Sequence, residues 1–171
     1  MNLRAPLCAR LANVRITAKA DYAVRAAVEL AAAQLDAGPA GADPVKGEHL
    51  ARAQGIPRNF LENILTELRR AGIVHTRRGV EGGYRLARPA REVTVADVLR
   101  AVEGPLAAVQ GVQPQDLEYG GAAEHLPEVW VALRAGLRGV LEKVTLADIA
   151  TGRLPRAVTA KTADADAWEP R

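Results

Sequence analysis

Lys46-Gly47-Glu48-His49-Leu50-Ala51-Arg52-Ala53-Gln54-Gly55-Ile56-Pro57-Arg58-Asn59-Phe60-Leu61-Glu62-Asn63-Ile64-Leu65-Thr66-Glu67-Leu68-Arg69-Arg70 is the most informative stretch of the chain. Lys46–Gln54 reads as a short helix with Leu50 and Ala51 turned inward. Gly55 follows where the chain turns sharply, and Ile56 plugs the corner. Pro57 is placed at the first position of a second helix, where a missing N–H costs nothing. Beyond it, Phe60, Leu61, Ile64, Leu65 and Leu68 recur at spacings of three and four, the pattern of one buried helical face. The opposite face carries Arg58, Asn59, Glu62, Asn63 and Arg69. Two short helices joined by a tight glycine turn, the second displaying side chains able to hydrogen-bond base edges, form the helix-turn-helix pattern. Its second helix is expected to enter a major groove.

Working outward toward the N-terminus, Thr17 is a helix N-cap for a segment from Ala18 to Leu35, with Ala23, Ala27, Leu30, Ala31 and Gln34 on one face. Gly38-Pro39-Ala40-Gly41 and Asp43-Pro44 then read as a loop, because each Pro pushes its predecessor out of helical geometry. Toward the C-terminus, Gly72 stops the second helix. Ile73-Val74-His75-Thr76 and Tyr84-Arg85-Leu86 alternate as a two-stranded hairpin. Its tip, Arg77-Arg78-Gly79-Val80-Glu81-Gly82-Gly83, is too basic and glycine-rich for a purely structural turn. Such glycines permit positive φ and close approach to a phosphate, and a tip arginine can enter a narrow minor groove. The hairpin is a wing.

Charge follows the same division. Residues 46–91 hold ten Lys/Arg against four Asp/Glu, a net of +6, whereas residues 92–150 hold four against nine, a net of −5. One region therefore suits a polyanion and the next does not. With 171 residues, 49% of them apolar and 25% charged, the chain can bury one ordinary core. Cys8 is the lone cysteine, which excludes a disulfide framework or a cysteine metal site within one chain. No run of about eighteen apolar residues occurs, so the chain reads as cytoplasmic, associated with the nucleoid and without a membrane partner.

Beyond these patterns, the sequence resembles the Rrf family of bacterial winged helix-turn-helix regulators, which includes iron-sulfur, nitric-oxide-sensing and cysteine-metabolism regulators. The resemblance runs from Val14 to Gly152. It is densest in Ile16–Ala23, Ile56–Leu65, Leu68–Val74, Arg78–Tyr84 and Val93–Val98. It implies that Arg58, Asn59, Glu62 and Asn63 read the major groove and Arg78 the minor groove. Chemistry agrees: Arg58 suits guanine, Asn59 or Asn63 adenine, and Glu62 cytosine. Lys19, Arg69, Arg77 and Tyr84 are expected to hold phosphate oxygens. Redox-sensing members carry three cysteines in a loop that corresponds to Gly104–Leu126. This chain has none there, so no iron-sulfur cluster and no other cofactor or metal is expected.

The strongest helical stripe follows: Leu126, Val129, Trp130, Leu133, Leu137, Val140, Leu141 and Val144. It is wider than so small a domain needs internally, and it fits a two-fold interface between copies of the chain. Thr145–Ala150 reads as a capped helix ending at Gly152. The expected architecture is mainly α with a small two-stranded wing. Residues 1–13 form a disordered extension, 14–104 the winged helix-turn-helix domain, 105–125 a cysteine-free loop, 126–152 the dimerisation helix with a short helix after it, and 153–171 a disordered tail.

Bland readings compete with these. The basic face could be a solvated surface, Glu62 could be claimed by Arg69 or Arg70, and the long stripe could be internal core. His125 beside Glu124 and Glu128 is more simply a solvated cluster than a metal site, while His49 and His75 suit packing or phosphate contacts. Gly79, Gly82 and Gly83 are no dinucleotide fingerprint, because no strand-turn-helix surrounds them. No nucleophile–base constellation exists, so the chain is not expected to be an enzyme. The favoured reading is a regulator, usually a repressor, that binds a palindromic site in double-stranded DNA as a homodimer. A small-molecule or protein effector could act near Trp130. The alternative is a winged-helix protein-interaction module.

Overall fold

The computed structural model describes residues 16–38 and 43–169, and the N-terminal extension lies outside them. Helix α1, Ala18–Ala37, is the hub. It packs against the other helices of the helix-turn-helix domain, against the second wing strand and against a helix far along the chain. Its stripe of small residues explains this. Ala20, Ala23, Ala26, Ala27 and Ala31 are all buried, so neighbouring backbones come close around Leu30. Thr17 caps it by accepting from the Ala20 N–H at 3.0 Å. Gln34, on the same face, is polar for a reason: its carbonyl accepts from the Ala90 N–H at 2.7 Å and its amide donates to the Arg88 carbonyl at 3.3 Å.

Helix α2, Gly47–Gln54, and helix α3, Arg58–Arg70, follow as the sequence indicates. Gly55 between them is left-handed, at φ 61° and ψ 34°, and Leu50 and Ile56 are buried at the corner. Two details differ from expectation. Pro57 is the N-cap of α3 rather than its first helical residue. Phe60 is 56% exposed instead of buried, because it lies about 100° round the helix from Leu61, outside the arc of Leu61, Ile64, Leu65 and Leu68. Its ring meets Tyr22 edge-on, with centroids 6.4 Å apart.

Strands β1, Val74–Arg77, and β2, Gly83–Leu86, pair antiparallel in the register Val74 to Leu86 and Arg77 to Gly83. Val74 and Leu86 root the hairpin in the core. The wing has an attachment that the sequence reading lacks. Val45 and Tyr84 exchange both backbone hydrogen bonds at 2.8 Å, so the segment entering α2 lies along β2 like a third strand.

Helices α4, Val95–Glu103, and α6, Leu146–Thr151, begin with matching capping boxes, Thr94 with Asp97 and Thr145 with Asp148. The two caps lie side by side: Val95 N–H donates to the Val144 carbonyl and Leu146 N–H to the Val93 carbonyl, each at 2.9 Å. This pairing closes α6 onto α1. Helix α5, Leu126–Leu141, stands between them in sequence but largely outside the core: none of its 16 residues is buried within the chain. Val144 therefore departs from the stripe assigned to it. It lies beyond the end of α5 and is buried with Ala20, Val95 and Leu99 in the chain's own second apolar cluster.

The segment from residue 153 onward is not uniformly irregular. Helix α7, Arg156–Thr162, forms after Pro155, and its Val158 packs on the second cluster. One apolar anchor in an Ala- and Thr-rich stretch produces no periodicity, which is why composition alone reads as a tail.

Candidate nucleic-acid interface

The outer face of α3 is set by its inner one. With Leu61, Ile64, Leu65 and Leu68 buried, the residues directly opposite are Asn59, Asn63, Thr66 and Arg70, at spacings of four, three and four. Asn59 and Asn63 thus stand where base contacts are expected. Thr66 and Arg70 belong to the same ridge, and the sequence reading omits them although its own periodicity points to them. Arg58 and Glu62 lie on the flank of this ridge that faces α2 and the wing. Asn and Arg are the side chains whose paired donors and acceptors match adenine and guanine edges.

Arg58 is already engaged. Its Nε donates to Glu62 Oε1 at 3.2 Å and its Nη1 to Glu48 Oε1 at 3.0 Å. The hydrogen bond to Glu62 and the charge of Glu48 raise its pKa above the ordinary arginine value. The partner of Glu62 is therefore Arg58, one turn back, and not Arg69 or Arg70. Arg69, Arg70, Arg77, Arg78 and Arg85 are exposed and make no ion pair or side-chain hydrogen bond among the described residues. Unneutralised guanidinium groups on one helix face and one hairpin are free to hold phosphates.

Lys19 is placed differently from a free phosphate contact. Its ammonium pairs with Glu67 at 2.8 Å and donates to the Val102 carbonyl at 2.6 Å, pinning α1 to α3 and α4. Tyr84 is half-buried, with its ring packed against the start of α2. At the wing tip, Gly79 has φ 103° and supplies the turn. Gly82 and Gly83 serve another purpose. A Cβ on Gly82 would lie 2.5 Å from the Arg77 carbonyl oxygen, and one on Gly83 would lie 2.6 Å from that of Val45. They permit close approach of protein backbone, which holds the hairpin that carries Arg77 and Arg78 against the entrance to α2.

The loop that separates this domain from α5 offers no thiolate anywhere between Gly104 and Leu126, and iron-sulfur clusters need thiolates. Its donor set does not fit a cluster. Instead, Arg134 on α5 donates to Gln113 Oε1 at 3.1 Å and to Gln115 Oε1 at 2.6 Å, on either side of the buried Pro114. His125 and Glu128 are both about 81% exposed, and no group of three or more metal-binding side chains occurs among the described residues.

A glycine-turned helix pair, a polar ridge on its second helix and a basic hairpin beside it define a winged helix-turn-helix DNA-binding regulator. Comparison with known proteins agrees: the sequence profile of Rrf2, described as an iron-dependent transcriptional regulator, matches residues 16–152. The chain belongs to the Rrf2 family, whose members are transcriptional regulators and not enzymes. It is 51% identical over 156 residues to the putative HTH-type transcriptional regulator Rv1287 of Mycobacterium tuberculosis, covering 91% of this chain and 93% of that one. To the CymR regulator of Bacillus subtilis it is 28% identical over 138 residues, covering 81% and 91%. The solved structure of that protein, described as the global cysteine regulator of its organism, superposes with a TM-score of 0.66 over 82% of this chain and 98% of that one, at 28% identity. T. potens IscR superposes at 0.62 over 93% and 94%, also at 28% identity. Among the described residues no helix is long and apolar enough to cross a membrane.

Proposed function

We propose that the chain binds a palindromic operator in the cytoplasm as a two-fold symmetric homodimer and represses the promoter that the operator overlaps. The observation that carries the dimer is α5. Leu126, Val129, Trp130, Leu133, Leu137 and Val140 form one apolar stripe; the chain itself only half-buries five of them, and Val129 is 56% exposed. An apolar helix face of this length calls for a partner, and a second copy supplies a self-complementary one. Leu141, half-buried against the second cluster, lies where the stripe joins the chain's own core. The dimer would present two α3 helices to successive major grooves, with half-site centres roughly 10 bp apart or a multiple of that.

Asn59, Asn63 and Arg58 read bases in this proposal, Arg78 reads the minor groove, and Arg69, Arg70 and Arg77 hold phosphates. The chain works without an iron-sulfur cluster on its own residues, so a signal has to reach it by another chemistry. The indole Nε1 of Trp130 is enclosed by the chain's own atoms and has no hydrogen-bond acceptor among the described residues, so an effector acting near Trp130 would have to open that contact to supply one. Sedimentation of the full chain and of Leu133→Glu/Leu137→Glu, alongside operator titration, tests the reading. The wild type should be dimeric, and the variant should be folded, monomeric and at least tenfold weaker on the operator. A monomeric wild type that binds a single half-site would overturn it.

A further inference from the structure

The flank of α3 carries one contact that neither the helix-turn-helix packing nor the wing requires. Glu62 lies four residues after Arg58 on the same helix, so their pairing is an ordinary one-turn contact. Glu48 is on a different element. It occupies the first turn of α2, where a carboxylate is favoured by the helix dipole, and its Oε1 receives the Arg58 Nη1 hydrogen at 3.0 Å. Two carboxylates from two helices thus grip the same guanidinium at neighbouring nitrogens, one at Nε and one at Nη1. The remaining N–H donors, on Nη2 and Nη1, are the pair that an end-on contact to guanine O6 and N7 uses.

We propose that Glu48 is a positioning residue for base reading: it holds the Arg58 guanidinium in the orientation that meets a guanine edge and keeps it off the phosphates. The proposal rests on Arg58 as a base contact. An arginine on a flexible stem loses rotamer freedom when it is ordered against a base, and a contact already made in the free protein and kept in the complex removes that loss. The same contact would have to break for Arg58 to swing to a phosphate, so unrelated DNA gains nothing from Arg58. Both effects act on discrimination in one direction. Simple electrostatics gives a different outcome: deleting an acid beside DNA strengthens every complex alike and leaves the ratio between them unchanged.

The test uses the full chain and the operator that it selects from random duplexes, with affinities measured at one salt concentration. The operator, the same duplex with the Arg58-dependent guanine replaced, and an unrelated duplex are compared. Glu48→Ala should lower the ratio of operator to guanine-substituted affinity by about threefold to tenfold while raising affinity for the unrelated duplex. Glu48→Gln, which removes the charge but keeps an oxygen acceptor, should retain most of the ratio. In an Arg58→Ala background, Glu48→Ala should leave the ratio unchanged. Equal behaviour of the Ala and Gln variants, or an effect that survives in the Arg58→Ala background, would show that Glu48 acts as bulk charge and overturn the proposal. If Arg58→Ala itself leaves discrimination intact at every operator position, the base-reading role of Arg58 fails first and the positioning role goes with it.

Discussion

Replacing Gly83 with alanine is the sharpest way to ask whether the wing is held as described. The added Cβ would lie 2.6 Å from the Val45 carbonyl oxygen, 2.8 Å from its carbonyl carbon and 3.0 Å from that of Pro44, all backbone atoms that cannot rotate away. Relief needs a shift of about 1 Å, since comfortable carbon–carbon contacts begin near 3.5 Å. The same backbone is tied by the two 2.8 Å hydrogen bonds between Val45 and Tyr84, and a shift of that size would take both beyond bonding distance. At about 0.5–1.5 kcal/mol net for each bond, the variant should lose roughly 1–3 kcal/mol of the attachment that docks the wing against the entrance to α2. Val74 and Leu86 still root the strands, so the fold should survive with a displaced hairpin. Operator affinity measured by fluorescence anisotropy should fall about tenfold as Arg77 and Arg78 lose their fixed position, with a smaller drop in urea midpoint. Gly120→Ala, where a Cβ meets nothing within 4 Å and φ is not positive, is the matched control and should be neutral. A Gly83→Ala protein with wild-type affinity and wild-type urea midpoint would refute the claim that this close approach positions the wing.

Glu142 is held below the usual glutamate range by hydrogen bonds from Arg100 and then Arg138, which tie the end of α5 to α4. Its contribution to stability is complete above the pKa of the unfolded chain and lost as pH falls through the lower folded value, so Glu142→Gln should flatten acid unfolding followed by circular dichroism. Gly139 lies on the side of α5 away from the apolar stripe, with open space around it; Gly139→Ala should raise stability by about 1 kcal/mol in urea titrations without changing the oligomeric state. Each of Arg69→Ala, Arg70→Ala and Arg77→Ala should weaken binding similarly on all operators and lower the slope of log affinity against log salt by about 1, whereas Arg78→Ala should discriminate by A·T content at the flanks.

Most of the helix-turn-helix is legible in the sequence because its determinants are local. Thr17, Gly55, Gly72, Thr145 and Gly152 punctuate helices through their own backbone and hydroxyl chemistry, and the 3.6-residue period of α3 marks its buried face. What escapes the sequence is non-local. That Val45 pairs with Tyr84, that Lys19 is occupied by Glu67 and the Val102 carbonyl, and that Arg58 is shared between Glu62 and Glu48 depend on which elements meet. Phe60 misleads in another way: a large apolar residue next to Leu61 looks like core until the helix is wound, and then it falls beside Tyr22 at the edge of the DNA face. Val144 is the reverse case, an apolar residue that continues the α5 spacing but sits past the helix end and inside the chain's own core.

Footprinting of the purified full chain on its own host's genomic DNA at two salt concentrations asks whether the α3 ridge and the wing read a specific operator in a two-fold arrangement. Protected sites that persist at the higher salt, and that share a short inverted repeat with centres roughly 10 bp apart or a multiple of that, are the expected result. Diffuse protection that disappears as salt rises, with no common repeat, would contradict it.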